Sequence, residues 1–216
     1  MTSAEPPAPQ PSEPSEPVKD RVFRSPLGIA GGVFLLVLAV VLGGDTILRG
    51  DGRAPWLALA ALLLVIPLIV AFTVRPAVFA GPERLRIRNP FRTITLPWGS
   101  VADVRASYSS EVFTQEGRKY QLWAVPVSLR QRKRAARQAA RASQDDPHGR
   151  TSVTADVRDK ARVAPADQSV ADLREMAERR GTLPEAQGAP QVRWAYEVIA
   201  PAAAGLVLLV VLAATG

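Results

Sequence analysis

Polar and apolar positions divide the chain into two regimes. In three places apolar residues run on without interruption: residues 27–44 and 55–74 contain no charged side chain, and residues 194–214 contain only Glu197 near their start. Runs of about 20 such residues match the roughly 30 Å of hydrocarbon that a helix must cross, and they predict three membrane spans. Pro67 predicts a modest kink in the second. Lys19, Arg21 and Arg24 precede the first run as they would in a secretion signal. The length of the run, its Gly43-Gly44-Asp45 ending and the second run close behind it predict an uncleaved span instead.

Between the second and third runs the pattern changes to period two. In residues 83–89, Leu85 and Ile87 fall on one face and Arg84, Arg86 and Arg88 on the other, as in a half-buried strand. Asn89-Pro90 supplies a turn. Residues 92–96 alternate again, with Ile94 and Leu96 opposite Thr93 and Thr95, so the two runs predict a hairpin. Val101 and Val104 after Pro97-Trp98-Gly99 fit either a strand or one helical turn. Residues 111–114 and 119–125 form a second pair around Gly117, which can take the positive φ of a hairpin loop. Both faces of 119–125 are partly apolar, which predicts a central strand. Several short antiparallel strands in so few residues predict a small barrel or two packed sheets.

Downstream, residues 169–180 start at Ser169 with Asp172 three positions on, and Val170, Leu173, Met176 and Ala177 recur at helical spacing. Gly181 after Arg179-Arg180 suits the end of a helix. The β-rich stretch followed by one amphipathic helix is the order of a pleckstrin-homology-like domain. Residues 85–92, Leu85-Arg86-Ile87-Arg88-Asn89-Pro90-Phe91-Arg92, followed by Leu96-Pro97-Trp98 and then Val101 and Val104, resemble the bacterial, actinobacterial-type, membrane-anchored proteins with such a domain. The resemblance covers residues 27–127, with 169–180 matching the terminal helix, and Asn89, Pro90, Pro97 and Trp98 are its candidate fold-defining residues. It implies a fold and a membrane address, with no established biochemical activity attached.

The predicted fold class is therefore a membrane protein: an N-terminal transmembrane helical hairpin, a small β-rich pleckstrin-homology-like domain closed by one helix, and a C-terminal transmembrane helix. Residues 1–25 read as a disordered Pro- and Glu-rich tail, and 26–75 hold the two spans 27–44 and 55–74. The domain occupies 76–181 with a basic and disordered insertion at 128–167, followed by a linker at 182–192 and the third span at 194–214. The insertion departs from a compact pattern and leaves two places open for helix 169–180: closing the domain, or lying on the membrane ahead of the third span.

Charge adds a partner to this picture. The 216 residues carry a formal net charge of +7, which favours an anionic neighbour. Basic residues precede the first span, follow the second and precede the third, whereas the loop between the first two holds only Arg49 and Arg53. That bias predicts a plasma-membrane protein with its N-terminus and folded domain cytoplasmic and its C-terminus outside. Two basic groups are candidate contacts to anionic surfaces: Arg84, Arg86, Arg88 and Arg92, and the Ala- and Gln-spaced tract containing Arg130, Arg132, Lys133, Arg134 and Arg137. Near anionic lipid each such side chain contributes about 1 kcal/mol. The tract has no interleaved aromatics, so nucleic acid is not the expected partner.

Catalytic chemistry finds no foothold. The chain has no cysteine and one histidine, His148, which lies in the polar insertion beside Pro147 and Gly149 and reads as a solvated loop residue. A Gly-rich phosphate loop, H-E-x-x-H and G-x-S-x-G are all lacking, and Asp103, Glu111 and Glu116 are scattered. No enzyme, cofactor or metal is expected. Glu197 beside Trp194 and Tyr196 reads as an interfacial carboxylate. The expected role is non-catalytic protein interaction or scaffolding at the membrane, with an unknown protein partner; the alternative is sensing of anionic lipid headgroups through the basic strand face and basic tract.

Overall fold

The computed structural model describes residues 20–127 and 165–215, with Lys133 and Arg137 singly between them. Residues 1–19 of the expected tail and most of the expected insertion, with Arg130, Arg132, Arg134 and His148, lie outside the described residues. In chain order the elements begin with β1 (Arg21–Phe23), α1 (Pro26–Arg49), α2 (Ala54–Ile69, continued by a π turn at Val70–Val74), β2 (Ala77–Ala80), β3 (Arg84–Arg88) and β4 (Arg92–Pro97). A 3-10 turn at Trp98–Ser100 leads to β5 (Val101–Ala106), β6 (Ser110–Thr114) and β7 (Lys119–Gln121). After the gap come α3 (Pro165–Arg180), a second 3-10 turn (Pro184–Ala186), β8 (Gln191–Trp194) and α4 (Tyr196–Ala214).

Three of these helices, Pro26–Arg49, Ala54–Val74 and Tyr196–Ala214, are long and apolar enough to cross a membrane. The Ser25 hydroxyl caps α1 by accepting from the Gly28 amide at 3.2 Å, with Pro26 in the first turn where its missing N–H costs nothing. The helix runs past the apolar run to Arg49, because nothing breaks it before Gly50 and Asp45 pairs with Arg49 one turn on. In α2, Pro67 has no N–H to donate, and the register slips within a turn to the five-residue spacing, the Arg75 amide donating to Val70 O at 2.8 Å. Both α1 and α4 pack on α2. Gly32 and Gly205 permit the approach: a Cβ on Gly205 would lie 2.5 Å from the Leu64 backbone nitrogen, and one on Gly32 would collide with the Thr73 side chain. At the far end Arg53 donates to the Leu212 carbonyl and to Thr215 Oγ1, so the α1–α2 connection caps the C-terminus of α4.

The strands form two antiparallel sheets, one in the order β1-β2-β3-β4-β8 and one in the order β5-β6-β7. Leu85, Ile87, Ile94 and Leu96, all fully buried, come from the inner face of the first sheet. Val104, Val112 and Tyr120 come from the second, and Trp98, Val170 and Leu173 complete the same core. Of the two readings of Val101 and Val104 the strand holds. Helix α3 packs on β5 and on the Trp98–Ser100 turn, and Arg174 donates to Asp103 Oδ1 at 3.1 Å and to Val104 O at 2.6 Å. The helix thus closes the domain rather than lying on the membrane.

Several segments differ from the sequence expectations: Ala77–Ala80 forms β2 where no strand was expected, and α3 starts at Pro165, inside the expected insertion, instead of at Ser169. Arg21–Phe23, counted with the tail, pairs with β2, and Arg21 reaches Asp172 of α3 at 2.7 Å. In the expected linker, Ala186 is buried in the core, and Gln191–Trp194 pairs with β4 as an edge strand. Residues 119–121 form β7 at the edge of the three-stranded sheet, not a central strand, and residues 122–125 leave the sheet after Gln121 and turn. Each short strand forms because a longer neighbour presents a row of unpaired backbone groups to it.

Candidate functional site

Register decides what shares a face. Across the five-stranded sheet Ala77, Arg88, Thr93 and Arg193 form one cross-strand row, and Val22, Phe79, Arg86, Thr95 and Gln191 form the next. Both rows point away from the core, and Arg84 stands one step further along β3. Arg84, Arg86 and Arg88 therefore share this outer face. Arg92 does not: it pairs with Trp194 on the inner side, in phase with Ile94 and Leu96, and its guanidinium lies 5.9 Å from the Tyr120 ring. Lys133 and Arg137 are exposed.

The outer face forms an open groove of about 830 Å³ whose lining includes Arg75, Arg84, Arg86, Arg88 and Arg193. Phe79 is the platform for this cluster, with the guanidinium carbons of Arg86 and Arg88 at 4.8 and 5.1 Å from its ring centre and that of Arg24 at 5.9 Å. Three carboxylates also line the groove, and each is already engaged: Asp20 with Arg86, Glu83 with Arg84, and Glu197 with Arg75. Among the described residues Arg24, Arg88 and Arg193 form no ion pair. Partial burial of Arg88, and after it the neighbouring guanidiniums of Arg86, Arg75 and Arg24, hold its pKa below the usual arginine value, against a smaller opposing pull from Glu197. Arg88 stays charged at neutral pH, so the cluster stores like-charge repulsion that a bound anion would relieve.

Arg75 joins this row to the helices. Its Nε donates to Asn89 O at 3.2 Å, its Nη2 to Thr93 Oγ1 at 3.2 Å and its Nη1 to Glu197 Oε1 at 2.7 Å. Since Thr93 Oγ1 accepts here, its own proton remains free to donate into the groove. Asn89 is 3% exposed; its amide donates to Arg92 O and its side-chain nitrogen to Gln121 O, both at 2.9 Å, linking the β3–β4 turn to β7. Pro90 is buried in the same turn, and Pro97 leads β4 into the turn where Trp98 Nε1 donates to Gly81 O at 3.0 Å.

The chain also sets the depth of this site. Arg24 stands two residues before α1, Ala77 three after the π turn and Arg193 three before α4. At about 3.3 Å per extended residue the Ala77–Arg193 row lies within about 10 Å of the helix ends.

By sequence, the basic residues beside the apolar runs, Arg24, Arg75 and Arg193 among them, serve only as orientation signals, and nothing marks Phe79, Thr93 and Thr95 as lining a groove. The parity of Arg92 with Ile94 was legible and assigns it to the inner face. The convergence of Arg24, Arg75 and Arg193 was not, because they come from three separate helix ends.

Strand order, the closing helix and the single core define the domain type, and a comparison with known families agrees with it. Residues 75–186, just over half of the chain, match the family described as bacterial PH domain. The chain belongs to that family. The matched region of this bacterial PH protein runs from Arg75 through the 3-10 turn ending at Ala186, so the three apolar helices and the edge strands β1 and β8 flank it. No curated protein and no solved structure matches the chain.

Proposed function

We propose that this membrane-anchored bacterial PH protein is a non-catalytic module that binds anionic phospholipid headgroups of its own bilayer through the outer face of its five-stranded sheet. The observation that carries this reading is the trio Arg24, Arg88 and Arg193, which form no ion pair among the described residues and stand beside the ends of the apolar helices, Arg24 and Arg88 over the same Phe79 ring and Arg88 in one cross-strand row with Arg193. A guanidinium fork matches the oxygens of a phosphodiester, and Thr93 and Thr95 add hydroxyl donors on the same face. Three arginines at about 1 kcal/mol each correspond to about two decades in affinity. The basic bias around the spans supports a cytoplasmic domain and plasma-membrane address. Reporters fused after Gly52 and at the C-terminus are expected to read outside, and an inside reading at Gly52 would invert the orientation.

The test uses full-length protein in a neutral detergent titrated with short-chain phosphatidylglycerol, short-chain phosphatidylcholine and glycerol phosphate. Salt-sensitive binding of the anionic lipid, weak binding of the other two and loss in R24A/R88A/R193A are expected. Equal binding of both lipids, or retention by the triple variant, overturns the reading. Equal binding of glycerol phosphate would move the ligand from lipid to soluble phosphate. A protein-interaction role draws its own support from β8, an edge strand whose four residues are all exposed and whose free side, among the described residues, could accept a peptide strand.

A further inference from the structure

The second tie between domain and bilayer is aromatic and lies away from the groove. Leu122 and Ala124 are buried, 1% and 3% exposed, yet Trp123 between them is turned outward and 43% exposed. No partner for its indole N–H occurs among the described residues. The ring is not loose: it meets Phe72 edge-on, centroids 5.6 Å apart, and Phe72 in turn meets Phe91 of the β3–β4 turn at 5.3 Å.

Phe72 belongs to the last turn of the second apolar helix, two residues before its end at Val74, and is itself 44% exposed. That helix has 21 residues, about 31 Å at 1.5 Å per residue, so its final turn reaches the edge of the hydrocarbon layer. A ring in contact with Phe72 shares that depth. Tryptophan favours this zone, because its apolar face enters the acyl boundary while the indole N–H finds water or a headgroup oxygen. The occupant of this face is thus the lipid already surrounding Phe72.

We propose that Trp123, carried on the turn that follows β7, is a membrane-interface anchor that holds the second sheet of the domain against the bilayer. The covalent tethers enter only the first sheet, through β1, β2 and β8; Trp123 fastens the other side. Together they stop the domain from rocking about the helix ends. This surface needs no contribution from the arginine groove and stands whether or not the groove binds lipid.

Depth-resolved quenching tests the proposal. Full-length W56F/W194F protein, in phosphatidylcholine bilayers, keeps Trp98, which is fully buried, and Trp123; subtraction of the W56F/W123F/W194F spectrum isolates Trp123. A blue-shifted emission is expected, quenched strongly by nitroxides near the headgroup, less by nitroxides deep in the chain, and little by aqueous iodide. Iodide quenching like that of free indole, with no lipid quenching, overturns the proposal in favour of a water-facing ring. Protection from both quenchers overturns it in favour of a protein-covered ring. Because the chain has no cysteine, W123C labelled with an environment-sensitive fluorophore in the otherwise native chain gives the same answer if the tryptophan variants fail to fold. R88A/R193A is expected to leave the Trp123 signal unchanged.

Discussion

Arg75 is where the second span, the β3–β4 turn and the third span meet, and replacing it should loosen the domain from the helices without unfolding either. The side chain is 14% exposed and makes two hydrogen bonds to domain acceptors, to Asn89 O and Thr93 Oγ1, besides its ion pair with Glu197. The two bonds contribute about 1 kcal/mol each. The ion pair adds at most about 1 kcal/mol, since the Glu197 side chain is 64% exposed and water screens it. Arg75→Met keeps the apolar stem, so the expected cost is about 3 kcal/mol, confined to the junction.

Amide hydrogen exchange reads that cost locally. The Asn89 amide, bonded to Arg92 O, and the Ala195 amide, bonded to Phe91 O at 2.9 Å, lie within the junction, whereas Val112 of β6 lies in the other sheet. In R75M the first two are expected to exchange about a hundredfold faster and Val112 not at all, one decade being about 1.4 kcal/mol. Glu197→Gln alone should accelerate them no more than about fivefold, and the double variant should match R75M within that factor. A uniform rise that includes Val112, or a change below about threefold at Asn89 and Ala195, would refute the junction argument.

Three further outcomes follow from packing and charge. Trp98→Phe removes a fully buried indole and its bond to Gly81 O, leaving that carbonyl to Arg180 alone; about 2 kcal/mol should be lost, lowering the domain melting temperature by about 10 °C. Asp103 is held below the ordinary carboxylate pKa first by its bond from Arg105, with the Val104 amide and Arg174 helping and burial opposing. The unfolded chain binds that proton more readily, so this stabilisation is complete above the ordinary carboxylate value and disappears as pH falls through the lower folded value. D103N should be less stable at neutral pH, with a shallower loss in acid denaturation below about pH 4. Gly205→Val drives a branched side chain into the α2 backbone at Leu63 and Leu64, and thermal unfolding in detergent should show a loss of about 1–3 kcal/mol.

Three apolar runs, the β3–β4 hairpin with its arginine-bearing outer face, and the Val170/Leu173 stripe of α3 were all legible in the order of residues. Each is an element whose signal is local: an unbroken apolar length, a period of two, a helical spacing. The strands β1, β2 and β8 were not legible, being three or four residues long with no alternating pattern. Their partners' open hydrogen-bonding edges created them. The same holds for the site. Arg84, Arg86 and Arg88 announce a basic face, but its density comes from Arg24, Arg75 and Arg193, which converge because the helices α1, α2 and α4 end at one corner of one sheet. Sequence alone therefore determined the three apolar segments long enough to span a membrane and the strands that carry an alternating pattern, because hydrophobicity and periodicity are properties of neighbours along the chain. Tertiary structure decided which arginines stand together on one sheet face and which tryptophan faces outward beside Phe72, because register and burial join residues that the chain keeps apart.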